Sequence, residues 1–413
     1  MRILAGAAAE RRVEQLANRS CEFAALEPKV RRIVENVRET GDRAVRAYAE
    51  KWDGLRPGKP FRVSETELEN AASKVSSPFR NALKQAATNI RRFCQWQRPQ
   101  EWTRHVSGIS LGQVVRPIES IGCYVPGGRH PLVSTLLMTV IPAQTASVPN
   151  IRIASPNPRV EVLAAAHALG VKEVYRIGGA HAIAALAYGT KSIPRVDKIV
   201  GPGNQFVTVA KKLVAFDCSI DFLAGPTEVV ILSNRGRADF IAADLVAQAE
   251  HDPAAVPVFI TTSKRLAEKV RLQVTVLAAK NQTATESIRT NGAVLLAESR
   301  RKAIDWANRI APEHITVDEE SLPFVQNAGS IFVGDYSAQA AGDYASGPNH
   351  VLPTAGVARF RGGLTVMDFV KVITVQKVSK KGLDGISKTI THLAETEGLI
   401  AHAESIRVRC AHA

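Results

Sequence analysis

The chain has 413 residues, 45% apolar and only 6% aromatic, enough for two or three domains with large cores. No stretch approaches the roughly 20 apolar residues that cross a bilayer, and the apolar run at the start is too short for a signal peptide, so a cytoplasmic protein with no membrane partner is expected. The net charge of +14 lies in scattered pairs such as Arg91-Arg92 and Lys380-Lys381, without a basic tail or interleaved aromatics, which argues for a solvated basic surface and against a nucleic-acid partner.

The first hundred residues read as helical. Val30, Ile33, Val34 and Val37 form one apolar stripe, Ser64-x-x-Glu67 is a capping box, and Ser77-Pro78 reads as an N-cap followed by a first-turn proline. Past residue 109, short β-rich runs alternate with helical ones: 120–125 then 134–148, 150–154 then 159–169, 173–177 then 180–188, 198–200 then 204–214. The alternation restarts after Pro226 with 228–232 and 239–250, and continues to a last strand at 329–333. Two successive sets predict an α/β fold of two Rossmann-like modules of parallel sheet with flanking helices, plus helical N- and C-terminal segments. The final fifty residues add a β run at 370–378 and a long helix over 383–407.

Five cysteines (Cys21, Cys94, Cys123, Cys218, Cys410) without a C-x-x-C pair exclude thiolate zinc ribbons and a disulfide framework. There is no G-x-G-x-x-G. Glycine turns at 125–128, 178–179 and 201–204 each sit at a strand-to-helix junction, where exposed N–H groups can receive phosphate; each could equally be a tight turn, and only their number favours a dinucleotide.

Several polar residues carry possible chemistry. Gln248 and His251, three apart, share a face at a helix end, and with Asp343 they form an oxygen and nitrogen set without sulfur, suited to zinc or manganese. His251 could instead be a cation answering the helix dipole. Ala311-Pro-Glu-His314 places a carboxylate beside an imidazole, a pair suited to acid–base work if Pro312 bends the segment so that both face one way; otherwise it is a solvated strand end. Residues 341–353, A-G-D-Y-A-S-G-P-N-H-V-L-P, read as a restrained loop after a buried strand and bring in Asp343 and His350.

Eight segments in order make the chain resemble the histidinol dehydrogenase family. They are G-C-Y-V-P-G-G at 122–128, R-I-G-G-A-H-A-I-A-A-L-A-Y-G-T at 176–190, V-G-P-G-N-Q-F-V-T at 200–208 and A-G-P-T-E at 224–228. Q-A-E-H at 248–251, R-I-A-P-E-H at 309–314, G-D-Y-A-S-G-P-N-H-V-L-P-T at 342–354 and E-G-L-I-A-H at 397–402 complete the set. The resemblance implies a homodimer with shared active sites that oxidises L-histidinol through L-histidinal to L-histidine, using two NAD and one zinc ion per subunit, with manganese as an alternative metal. By matched position, it implies Gln248, His251, Asp343 and His402 as metal ligands and Glu313 and His314 as the catalytic pair. It implies Ser134, Thr227, His350 and Glu397, beside the metal ligands and His314, as substrate contacts, and Tyr124, His181 and Asn204 as NAD contacts. It also implies an N-terminal segment at 1–23, a first α/β domain from 24–123 and 227–364 with the metal and catalytic residues, an NAD-side domain at 124–226, and a dimer-contact tail at 365–413. His181 stands where the family usually has glutamine, and Thr227 where it usually has serine. Those departures leave a paralogous zinc-dependent dehydrogenase of another polyol, such as sulfopropanediol, as the alternative.

Overall fold

A computed structural model describes residues 1–19, 24–127 and 132–411; Cys21 and Gly128 lie outside them. The chain opens with β1 (Arg2–Ala5) and α1 (Gly6–Ala17), then four helices, α2 (Glu27–Thr40), α3 (Asp42–Trp52), α4 (Glu65–Lys74) and α5 (Ser77–Trp96). A hairpin follows, β2 (Trp102–Val106) and β3 (Ile109–Pro117). The first module runs β4 (Ser120–Tyr124), α6 (Val133–Thr145), β5 (Asn150–Ala154), α7 (Val160–Ala168), β6 (Glu173–Tyr175), α8 (Gly179–Tyr188), β7 (Lys198–Val200), α9 (Gln205–Val214) and β8 (Ser219–Ile220). The second runs β9 (Glu228–Leu232), α10 (Ala238–Ala249), β10 (Val256–Thr261), α11 (Lys264–Ala278), α12 (Gln282–Thr290), β11 (Ala293–Leu296), α13 (Arg300–Ile310), β12 (His314–Val317), β13 (Ser330–Val333) and α14 (Gln339–Tyr344). The tail holds β14 (Val370–Val378), α15 (Lys380–Thr396) and α16 (Ile400–Ala411).

The α/β class and both parallel sheets are as expected. The first module is a five-stranded sheet in the order β6-β5-β4-β7-β8, and the second a six-stranded sheet in the order β1-β11-β10-β9-β12-β13. Helices cover both faces, so central strands such as β4 and β9 are buried along their whole length and, apart from Ser120 and Glu228 at their starts, carry no polar side chain but the Tyr124 hydroxyl. β14, β3 and β2 form a separate antiparallel sheet.

The N-terminal segment supplies β1 as an edge strand of the six-stranded sheet. The apolar stripes of α2 and α3 pack against α8 and α9, and α5 packs against α6, on the five-stranded module. An amphipathic helix shows which face is buried but not which partner buries it. The long tail helix is two helices, broken at Gly398 with φ 76. Residues 341–344 are helical, because Gln339, Ala340 and Ala341 start a helix that Gly347 and Pro348 cannot continue. The capping box at Ser64 is present, and α5 is capped by Ser76, one residue before the expected Ser77.

At the carboxyl edge of the six-stranded sheet, a crevice of about 120 Å³ is lined by Ser233, Asp244, Asp318 and Asp335. Burial pushes the Asp244 carboxyl up to about 6. A raised carboxyl pKa means a contribution that is complete below pH 3.8 and lost as pH rises through about 6, so ionised Asp244 destabilises the fold at neutral pH. After allowance for solvent screening, Asp244→Asn should stabilise the protein by about 1 kcal/mol above pH ~7. Urea unfolding across the pH range checks this, and the gain should vanish below pH 3.8.

Candidate active site

The polar residues singled out from the sequence gather at the opposite, amino edge of the same sheet, at the seam between β9 and β12. The register pairs His314 with Val229, which sets Glu313 beside Thr227 and Glu228. One oxygen of Glu313, Oε2, accepts the Thr227 hydroxyl at 2.5 Å and the Glu228 N–H at 2.8 Å. The bend that lets neighbouring residues face one site is present: Ala311 is left-handed at φ 49 just before Pro312, and His314 Nδ1 lies 3.5 Å from Glu313 Oε2.

His314 is 3% exposed. Its Nδ1 sits 3.2 Å from the Glu228 carbonyl, a contact that selects the tautomer with hydrogen on Nδ1. Nε2 is then the reactive nitrogen; it is buried without a hydrogen-bond partner and lies 3.6 Å from Asp343 Oδ1. Burial disfavours the imidazolium, but the Glu313 and Asp343 carboxylates outweigh it and push His314 up to about 10. Burial likewise raises the Asp343 carboxyl, yet His314, His350 and His251 around it bring its pKa below the ordinary value. His350 joins through its Nδ1, 2.9 Å from the Asp343 carbonyl, and burial lowers its pKa.

Gln248 is buried on the last turn of α10, and its Nε2 donates to the Thr227 hydroxyl, which leaves Oε1 as its available acceptor. His251, just past the helix end, is exposed and lines a cleft of about 1030 Å³ with Tyr344, Gly127 and Leu132. Ser134 stands at the start of α6; one turn along that helix, the Met138 carbonyl accepts Asn349 Nδ2 at 2.6 Å, tying the helix to the His350 segment. The Gln248 oxygen, His251 and Asp343 fit a hard or borderline dication, and the orphaned Nε2 beside them fits a site that awaits a polar ligand. Among the described residues, however, no three His, Cys, Asp or Glu side chains gather as a metal set. The remaining expected ligand, His402, in the first turn of α16, and the expected substrate contact Glu397, just past the end of α15, are both exposed on helices that pack chiefly on each other.

Tyr124, His181 and Asn204 all line one cavity of about 690 Å³ at the carboxyl edge of the five-stranded sheet. Tyr124 Oη accepts the Gly179 N–H at 3.1 Å, and Asn204 caps α9. His181 Nε2 donates to Asp53 at 2.8 Å, and the same Asp53 oxygen accepts the Gly178 N–H. A side chain at Gly127 or Gly178 would run into Pro156, so glycine keeps this wall open.

Sequence reasoning missed Asp53, Arg19 and Glu228. Glu228 ended a quoted segment, but nothing in A-G-P-T-E says which way its carboxylate turns; the partners of Asp53 and Glu228 lie 128 and 209 residues away. Cys94, Cys123 and Cys218 are buried, and burial pushes their thiols up to about 11, 12 and 12, which makes them inert at neutral pH.

Two parallel α/β modules, a buried carboxylate–imidazole pair and a cavity at strand ends define an enzyme of the dehydrogenase kind. A family model described as histidinol dehydrogenase matches residues 16–410. The histidinol dehydrogenase of Methanosarcina mazei is 46% identical over 417 residues, 97% of this chain and 95% of that protein. That of Bacillus cereus is 44% identical over 398 residues, 93% and 92% of the two chains. A crystal structure of histidinol dehydrogenase from Elizabethkingia anophelis matches with a TM-score of 0.94 at 34% identity, covering 99% of this chain and 98% of that one. The chain belongs to the histidinol dehydrogenase family.

The junction after β7 leaves no room for a side chain against the backbone of Tyr124. Gly201 has φ 110, and a Cβ there would lie 2.2 Å from the Tyr124 carbonyl oxygen. Gly201→Ala should therefore destabilise the protein by about 3 kcal/mol or more. Urea unfolding measures it, and an unchanged midpoint would contradict the geometry.

Proposed function

We propose that the protein oxidises L-histidinol to L-histidine with two NAD, in the biosynthesis of histidine. The observation that carries this reading is the buried Glu313–His314 pair with an unpartnered Nε2 facing Asp343. In the first stage, the alcohol loses its hydroxyl proton to His314 Nε2 as hydride leaves the carbinol carbon. In the second, water adds to the aldehyde, Glu313 takes a proton from that water, and the hydrate gives up the second hydride. The sum is one alcohol, one water and two NAD giving one carboxylate, two NADH and three protons. The cavity beside Tyr124, His181 and Asn204 is the proposed seat of NAD.

Gln248 Oε1, His251 and Asp343 would hold zinc. When bound, the ion would supply open positions for the imidazole and amine of the substrate and a positive charge beside Asp343. A charge there would answer Asp343, and His314 would then be held less strongly in its protonated form. His350, Thr227 and Ser134 would then bound the substrate.

His402 and Glu397 would complete the site from the tail of a second copy. In support, Val372, Ile373, Val375, Leu399 and Ile400 are exposed apolar residues of that tail.

Purified protein with zinc should form two NADH per L-histidinol; none at saturating substrate and zinc would sink the reading. His251→Ala and Asp343→Ala should lower bound zinc, whereas His314→Ala should retain zinc and lose about 10²- to 10⁴-fold in turnover. Full zinc retention in the first two would refute the ligand assignment. If sites are shared, mixing inactive Glu313→Gln and His402→Ala subunits should recover about a quarter of wild-type activity, since half the dimers are hybrids with one intact site. No recovery on exchange would place each site within one chain.

A further inference from the structure

Four donors converge on the carboxylate of Glu228, which is 3% exposed. Arg19 donates from Nε to Oε1 at 2.6 Å and from Nη2 to Oε2 at 2.5 Å. The Ala355 N–H reaches Oε1 at 2.9 Å and the Glu313 N–H reaches Oε2 at 3.3 Å. An ionised carboxylate has about four acceptor positions and no donor, so this shell suits it and suits nothing else. Burial raises the Glu228 pKa above its ordinary value, and the Arg19 guanidinium and the Ala355 N–H work against that rise.

The exchange is reciprocal. Glu228 accepts from the backbone of Glu313, and Glu313 accepts from the backbone of Glu228 at 2.8 Å. Arg19 also holds the Leu16 carbonyl, the Ile310 carbonyl at 2.7 Å and the Ala311 carbonyl at 3.4 Å. Ala311 is in the left-handed region, which a residue with a Cβ occupies at a cost, so the turn that presents Glu313 needs an external hold.

We propose that Arg19 and Glu228 are positioning residues for the acid–base pair: together they fix the turn through Ala311 and Pro312 and so aim the Glu313 carboxylate. This rests on the proposed reaction, in which the aldehyde stage depends on Glu313 and the alcohol stage on His314. Neither residue is among those that line the cavity beside Tyr124 or the cleft beside His251.

Glu228→Gln replaces two acceptor positions with donors that face donors, and Arg19→Lys keeps the charge but loses the fork. Single-turnover rates with L-histidinol and with L-histidinal, on zinc-loaded protein of wild-type circular dichroism, provide the test. In Glu228→Gln the aldehyde stage should slow about 10-fold more than the alcohol stage, with KM for L-histidinol within about twofold of wild type. Arg19→Lys should shift the ratio in the same direction by less, and it decides the matter alone if Glu228→Gln does not fold. A purely structural pair would lower both stages equally, and an unchanged ratio overturns the proposal. Wild-type protein inactive on L-histidinol would instead overturn the substrate reading, which the parallel wild-type run separates.

Discussion

β9 and β12 are neighbours because the chain builds outward from β9 through β10 to β11, then returns along α13 to the other side of β9. That return sets two glutamates side by side in a buried seam, Glu228 and Glu313, which would repel if left alone. Each is answered by donors: Glu313 by a hydroxyl and a backbone N–H, Glu228 by a guanidinium fork and two backbone N–H groups. His314 then sits against Glu313 on one side and Asp343 on the other, and its basicity is set by both. Every later feature of the site assumes this strand pairing. A slip of one residue would turn His314 to the far face of the sheet.

The two modules use opposite edges of their sheets. In the five-stranded module the cavity lies where α/β sheets usually bind ligands, outside the carboxyl ends of the strands, lined by residues from the ends of β4, β5 and β7. In the six-stranded module a small crevice lies at the carboxyl edge, and the Glu313–His314 pair stands at the amino edge. The cleft containing His251 is walled by Gly127 and Leu132 of one module and Tyr344 of the other, so the two edges meet there. The proposed hydride transfer needs its donor and acceptor in contact, and opposed edges would let two separate sheets meet that need.

Much of this was legible in the chain. Period and punctuation gave nearly every strand and helix from residue 120 to 333, because a parallel sheet alternates buried apolar runs with amphipathic helices. Glu313 and His314 were readable as a pair only through Pro312, and Ala311 supplies the rest of the bend. What stayed hidden depends on contacts distant in sequence. The stripe of α2 showed one buried face without naming α8 as its partner. Nothing in the sequence around Arg19 or Asp53 marks either residue, since their partners Glu228 and His181 lie 209 and 128 residues away. The loop reading of 341–344 failed because a glycine and later breakers outweighed the helix formers just upstream, whereas a helix of one or two turns needs only those formers and packing against α10.

His181 shows how a departure from the usual residue can be absorbed. A glutamine carries a donor and an acceptor on one amide, and an imidazole must divide those roles between two nitrogens. Here Asp53 occupies Nε2, and a ligand in the cavity is left with Nδ1. Asp53 also accepts the Gly178 N–H that opens α8, so the ring is fixed by the same carboxylate that ends the strand-to-helix turn. Tyr48 and Trp52 stack at 4.9 Å with the His181 ring 5.7 and 6.0 Å from them, which limits its rotation. The imidazole is therefore held rigidly in the wall of the cavity, with its orientation set by an acid from the end of a different helix.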